Sequence, residues 1–143
     1  MKTITLYNSS GQTQGVLSSN DPTAFQDGFG ELSAIEGSYG NEYYIDNGQA
    51  YLKGNNPSTT EVKYSFDYVT KNWSIDLEQT AEYQRGIRSQ LLEPIDQINP
   101  VWYASLTADQ QQDLAAYRQQ LLDVPQQSGF PNTVEWPSKP TWL

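Results

Sequence analysis

The first half of the chain places short apolar runs between dense turn residues, a pattern typical of strands joined by tight connections. Ile4 and Leu6 precede the polar loop 8–11. A second apolar pair, Val16 and Leu17, follows that loop. This arrangement predicts a first β-hairpin.

Two further segments carry hairpin patterns. In residues 43–52, Asn47 and Gly48 can both take the positive φ angles that a type I′ turn requires. In residues 62–75, aromatic and polar residues alternate before the turn, as one buried face of a strand requires. Between these segments, residues 53–60 are polar and contain Gly and Pro, which predicts a connector and a module boundary.

After Ile75 the apolar spacing changes from strand-like to helical. Asp76 can cap a helix over residues 77–93, and we expect Pro94 to end it. The apolar stripe of this helix is expected at positions spaced by four residues, namely Ile87, Leu91 and Ile95.

A second helix is expected after Thr107, whose hydroxyl can cap it while Gln110 reaches back to form a capping box. Pro125 should stop this helix. Its apolar stripe is Leu114, Tyr117, Leu121 and Val124. About a dozen residues separate the two helices, so together they predict a helical hairpin.

The last stretch, residues 128–143, combines three prolines with Phe130, Trp136 and Trp142. It has neither a helical nor a strand period, and its prolines suit an extended, polyproline-like arm. We therefore predict an α+β protein with an N-terminal β-hairpin module (1–56), a connector and hairpin (57–76), and a helical region with an extended Pro/Trp arm (77–143). We expect the helical region to fold and bind without the β module.

Composition narrows the function. The net charge is -9 and no Lys/Arg cluster occurs, which argues against binding to nucleic acid or to an anionic membrane. No apolar run approaches the ~20 residues of a membrane span, and the short apolar start does not suit a secretion signal. Cysteine and histidine are absent, which removes thiolate chemistry, the commonest general base and the commonest metal ligand. We expect no enzymatic activity, cofactor or metal.

Residues 66–140 contain short motifs in a defined order. They are FDY at 66–68 with Trp73, Arg85 and Arg88 before Leu91, Leu92 and Asp96, YRQQLLDVPQQ at 117–127, GFP at 129–131, and VEWPSKP at 134–140. In this order and spacing the segment resembles the phage tail assembly chaperone family. It departs from the family at Gln97, where a Trp is usual, and at Leu122, where an Arg is usual. Residues 94–105 replace a shorter loop, and Trp102 within them is a candidate substitute for the missing Trp.

The resemblance implies a non-enzymatic protein that acts in the host cytoplasm during phage assembly. Its implied partner is a trimeric tail fibre protein, which it would help to fold, trimerise or attach, and other tail or baseplate proteins are further candidates. An alternative is a permanent structural subunit of the virion tail or tail fibre. A less favoured alternative is a module that binds host glycans, because ten tyrosines are many for so small a core.

Large aromatic side chains and arginine dominate protein interfaces, which selects the candidate partner-binding residues. These are Trp102, Tyr117, Arg118, Phe130, Trp136, Pro137 and Trp142. Tyr117 and Arg118 are adjacent on a helix and point about 100° apart, so one core aromatic and one solvated charge is the competing interpretation. For Trp136 and Trp142, the competing interpretation is an arm that folds back over the helices.

Overall fold

The computed structural model describes all 143 residues and divides into two compact units. The β unit comprises Met1–Pro57 and Tyr64–Ser74. The helical unit comprises Ser58–Lys63 and Ile75–Leu143. Antiparallel strands precede helices along the chain, which confirms the predicted α+β class.

A three-stranded antiparallel sheet forms the first part of the β unit. Its strands are β1 (Lys2–Tyr7), β2 (Thr13–Ser19) and β3 (Ser33–Glu36), in the order β2-β1-β3. The β1–β2 pair is the predicted first hairpin. Strand β3 was not predicted, because four residues with only two apolar side chains give no usable alternation.

The central strand β1 carries the buried residues of this sheet. Ile4 and Thr5 point to opposite faces and are both buried. The Thr5 hydroxyl donates to the Gly37 carbonyl at 2.9 Å and accepts the Tyr39 N–H at 2.9 Å. Because the Thr5 hydroxyl acts as both donor and acceptor, its burial leaves no polar group without a hydrogen-bond partner.

The second predicted hairpin is confirmed. Strands β4 (Tyr43–Asp46) and β5 (Gln49–Leu52) pair in antiparallel register. Asn47 and Gly48 between them have φ angles of 47° and 74°, as a type I′ turn requires.

The third predicted hairpin consists of β6 (Tyr64–Asp67) and β7 (Asn72–Ile75). The Phe66 ring lies 5.3, 5.1 and 5.5 Å from the ring centroids of its three aromatic neighbours, Tyr44, Tyr68 and Trp73. Ring pairs at these distances stabilise beyond simple burial, so the aromatic side chains hold the hairpins of the β unit together.

The turn between β6 and β7 is fixed by a carboxylate. Asp67 Oδ1 accepts the N–H of Val69 at 2.8 Å and that of Thr70 at 3.2 Å. These two donors favour the charged form and hold the pKa of the Asp67 carboxyl below its usual value.

The helical unit contains α1 (Leu77–Asp96), α2 (Pro100–Ser105) and α3 (Ala108–Asp123), followed by a 3-10 turn (Val124–Gln126). Asp76 caps α1 as predicted, accepting the Gln79 N–H at 3.0 Å. The segment Ser58–Lys63 packs with these helices, because the buried Thr80 hydroxyl accepts the Lys63 N–H at 3.0 Å.

The predicted end of α1 is wrong. The helix continues through Pro94 to Asp96 instead of ending at Glu93. Pro94 lacks the N–H that would bond to the Gln90 carbonyl, and Gln90 is exposed to water. The loss of one bond in an exposed last turn is therefore tolerated.

The predicted stripe of α1 is also wrong in part. Leu91 is exposed and Ile87 is only partly buried. The buried side chains of α1 are Thr80, Ala81, Gln84, Leu92 and Ile95. The buried face is thus shifted from the predicted one, because two of its positions carry polar side chains that an apolar pattern does not include.

The predictions for α3 are confirmed. Thr107 and Gln110 form both bonds of a capping box, at 3.2 and 2.9 Å. All four stripe residues are buried. The core cluster of the helical unit is Leu92, Ile95, Leu114, Tyr117 and Leu121. Partly buried apolar residues packed against it are Ile98, Leu106, Leu122, Trp136, Trp142 and Leu143.

Candidate partner-binding surface

The short helix α2 is an exposed apolar segment in the connection between α1 and α3, where no helix was predicted. None of its residues is buried. Val101, Trp102 and Tyr103 have 80%, 41% and 39% of their surface exposed. Three consecutive large apolar side chains in contact with water are unusual for an isolated surface helix and mark a candidate interaction site.

Polar contacts fix the backbone of α2. The Asn99 side chain accepts the N–H groups of Val101 and Trp102 at 2.8 and 3.3 Å, and Pro100 follows at the first helical position. The Gln111 amide on α3 donates to the Tyr103 carbonyl at 3.1 Å. Backbone groups at both ends of α2 are therefore hydrogen-bonded within the helical unit. The exposed apolar side chains thus stand on a backbone that is already fixed before a partner binds.

A groove of about 370 Å³ lies beside α2. Its lining residues are Ile95, Ile98, Pro100, Tyr103, Leu114, Ala115 and Arg118. Ile95 and Leu114 belong to the core cluster, so the groove reaches from the exposed ring of Tyr103 down to the core. An apolar side chain placed there would contact core residues directly.

Arg118 is the charged residue of the groove. Its Nε donates to Asp96 Oδ1 at 2.8 Å, and both side chains are about half exposed. An ion pair this exposed contributes about 1 kcal/mol or less to stability. The guanidinium has further N–H donors beyond this single bond, and these suit a planar acceptor such as a carboxylate.

The C-terminal arm lies against its own unit. Trp136 and Trp142 pack on the core cluster, and Trp142 Nε1 donates to Asp113 Oδ2 at 3.3 Å. The Gln127 side chain bonds to Glu135 twice, donating to its carbonyl at 2.7 Å and accepting its N–H at 2.9 Å. The arm thus covers the helices.

Residues 81–141 match a family model described as phage tail assembly chaperone protein. This match covers just under half of the chain and supports the resemblance to that family that the motifs indicated. It includes α2, the groove and nearly all of the arm. No curated protein and no solved structure matches the chain.

The remaining candidate residues lie in different places. Tyr117 is buried in the core cluster, whereas its neighbour Arg118 lines the groove. Phe130 packs under the Arg85 guanidinium, 5.8 Å from its ring centroid. Trp136 and Pro137 line a separate, more polar depression. The structure therefore brings Arg118 together with α2 but not with the arm.

Two residues of the surface were missed from the sequence. Val101 and Tyr103 flank Trp102 in the run Pro-Val-Trp-Tyr, which follows the strong capping residue Asn99. An Asn–Pro step before apolar residues is a helix-start signal, so this helix was detectable.

No group of three or more His, Cys, Asp or Glu side chains is placed to hold a metal ion. None of the helices has the length and apolar character needed to cross a membrane. The family match accords with a role in phage tail assembly.

Proposed function

We propose that this protein is a non-enzymatic tail fibre assembly chaperone that binds the fibre through α2 and the groove beside it. The observation that carries the proposal is the exposed apolar run of α2, which borders a groove open to the core and lies within the family match. In the proposal, the partner is a tail fibre chain whose own apolar surface is not yet covered by assembly.

The chemistry of this surface suits a protein ligand. Trp102 and Tyr103 are the residue types that most often dominate binding free energy. An apolar side chain of the fibre would enter the groove, and Arg118 would meet a carboxylate at its rim. The fixed backbone of α2 reduces the entropy lost on binding.

The arm has a supporting part in this proposal. The aromatic and proline residues of the arm stabilise the folded helical unit, and their exposed edges add a secondary contact area for the fibre. These residues are Phe130, Trp136, Pro137 and Trp142. We place the protein in the host cytoplasm during assembly. We also propose that the helical region from residue 77 onward carries the binding function by itself.

Co-expression with the tail fibre protein tests the proposal. The wild-type chain should raise the yield of soluble, trimeric fibre, and the double variant Trp102→Ala/Tyr103→Ala should lose most of that effect. Tyr51→Ala is the matched control, because Tyr51 is an aromatic of similar exposure in the β unit. Equal fibre yields with the double variant and with the control would contradict the proposal.

Quantitative mass spectrometry of purified virions separates the chaperone from a permanent tail subunit. A released chaperone should be absent from virions or far below the fibre in copy number. Near-stoichiometric copies would show instead that the protein stays as a structural component. A glycan array addresses the third alternative, for which the exposed Tyr51, stacked on Tyr44 at 5.4 Å, is the candidate platform.

A further inference from the structure

Strand β2 is an exposed edge strand of the three-stranded sheet. It pairs with β1 along its length, and the only other bridge near it joins Gln12, the residue before β2, to Tyr44 of β4. Its five central residues are all exposed, and Val16 and Leu17 have 41% and 38% of their surface in water. Because Val16 and Leu17 point to opposite faces, the strand leaves an apolar side chain uncovered on each face.

The backbone of β2 also has unused hydrogen-bonding groups. The Gly37 N–H donates to the Thr3 carbonyl, so the peptide groups of Thr3 point toward β3. In an antiparallel ladder the direction of the backbone N–H and C=O groups alternates from one residue to the next. The backbone groups of Ile4 therefore point toward β2, where Ile4 pairs with Leu17. Leu17 thus directs its backbone groups toward β1, whereas its neighbours Val16 and Ser18 direct their N–H and C=O groups outward. No backbone hydrogen bond is made by these outward groups.

The usual protections of an edge strand are missing from β2. Residues 3–20 contain no Lys, Arg, Asp, Glu or Pro. Natural edge strands are commonly guarded by charges, prolines or short length. The opposite edge, β3, shows two of these features, because it has only four residues and ends in Glu36. The β2 edge is thus open to pairing with another strand.

The charge distribution favours a second copy as the occupant. The whole chain carries a net charge of -9, so two copies repel each other over most of their surfaces. At the β2 edge no like charges would be placed opposite one another. Two-fold pairing of identical patches is also the commonest form of protein self-association.

The side chains of β2 complement themselves across a two-fold axis. With the axis at Val16, Leu17 of one copy lies opposite Gly15 of the other. Gly15 has open space where a side chain would stand, so it leaves room for the Leu17 side chain. We propose that β2 pairs antiparallel with β2 of a second copy, which joins two three-stranded sheets into one sheet of six strands. This inference does not rest on the proposed function.

Analytical ultracentrifugation of the full chain tests the pairing. The wild type should show a concentration-dependent dimer, and Val16→Lys should raise its dissociation constant at least tenfold. Val69→Lys is the matched control, because it makes the same change in charge at an exposed turn of the same unit. Circular dichroism of all three proteins shows whether they are folded.

Cysteine cross-linking provides a second readout that leaves the charge unchanged. The chain contains no cysteine, so Val16→Cys has a single thiol. Residues opposite each other in an antiparallel pair have Cβ atoms about 5 Å apart, so mild oxidation should cross-link this variant far faster than Val69→Cys. Equal cross-linking rates for the two variants would overturn the proposed pairing.

Two further results would also overturn the proposal. One is a wild type that stays monomeric at every concentration tested, and the other is Val16→Lys that dimerises as the wild type does. If the monomeric wild type bound the tail fibre and Val16→Lys weakened that binding, the edge would receive a strand of the partner instead of a second copy.

Discussion

The two units of this chain are stabilised in different ways. In the β unit, short hairpins are held by turn geometry and ring contacts, and its buried side chains are Ile4, Thr5 and Ile45. In the helical unit, one apolar cluster contains residues of α1 and α3 and is covered by the arm. We therefore expect the β unit to respond most to backbone changes and the helical unit to respond most to lost apolar volume.

The units also differ in what they leave exposed. The helical unit presents apolar side chains on a fixed helix, α2, beside a groove. The β unit presents unpaired backbone along the edge of β2. Side chains in a groove select a partner by shape and chemistry, whereas a bare edge selects another extended strand. One small protein thus offers two kinds of contact.

The largest effect should come from Leu121→Ala. Leu121 is fully buried in the core cluster, so its truncation should lower the free energy of unfolding of the helical unit by about 2–5 kcal/mol. Chemical denaturation followed by helical circular dichroism measures this. Leu91→Ala on the exposed side of α1 is the matched control and should change stability much less. Equal losses would contradict the assigned core.

Trp136→Ala should destabilise the helical unit by about 2 kcal/mol, less than a fully buried Trp because its side chain is only partly covered. The melting temperature of the variant measures this loss. A variant that melts like the wild type but binds the fibre at least tenfold more weakly would show that Trp136 is a partner contact and not a cover.

Gly11→Ala should destabilise the β unit by more than about 1 kcal/mol. Gly11 has a φ angle of 87°, which disfavours a side chain, and a Cβ there would overlap the Ile45 carbonyl oxygen. Gly28→Ala is the control, because open space surrounds that position in the same unit and its φ angle is not positive. The near-UV signal of the aromatic cluster reports the loss of stability. A Gly11→Ala protein as stable as Gly28→Ala would contradict the expected strain at Gly11.

The smallest effect should be the pH dependence of the β6–β7 turn. The Val69 and Thr70 N–H groups lower the pKa of Asp67 in the folded state, so the charged carboxylate stabilises the fold above pH ~4. This contribution is lost as the pH falls through the lowered pKa. The difference in melting temperature between wild type and Asp67→Asn should therefore shrink from pH 6 to pH 2. If the difference in melting temperature stayed the same from pH 6 to pH 2, the charge of the Asp67 carboxylate would not be its source.

Local signals in the sequence predicted those elements whose geometry depends on neighbouring residues. Asn47–Gly48 specified a turn, and Thr107 with Gln110 specified a helix start, because the bonds involved lie within a few residues. The three hairpins were predictable from the sequence for the same reason.

Elements that depend on distant contacts were harder to predict. The buried face of α1 includes Thr80, whose hydroxyl bonds to Lys63, a partner that an apolar pattern does not reveal. Strand β3 is defined by its pairing with β1, not by its own sequence. Part of the candidate site was predicted from the sequence, since Trp102 and Arg118 were selected. The groove that Arg118 lines depends on the packing of Pro100 and Tyr103 near α3, which no local pattern reveals.

The most direct test of the proposed binding surface is calorimetric titration of the tail fibre protein with wild type and Trp102→Ala. We expect Trp102→Ala to weaken binding by about 2 kcal/mol or more, roughly thirtyfold, while its melting temperature stays close to that of the wild type. Tyr51→Ala should bind as the wild type does. Unchanged affinity in Trp102→Ala, with the fibre still bound, would contradict the assignment of α2 as the binding surface.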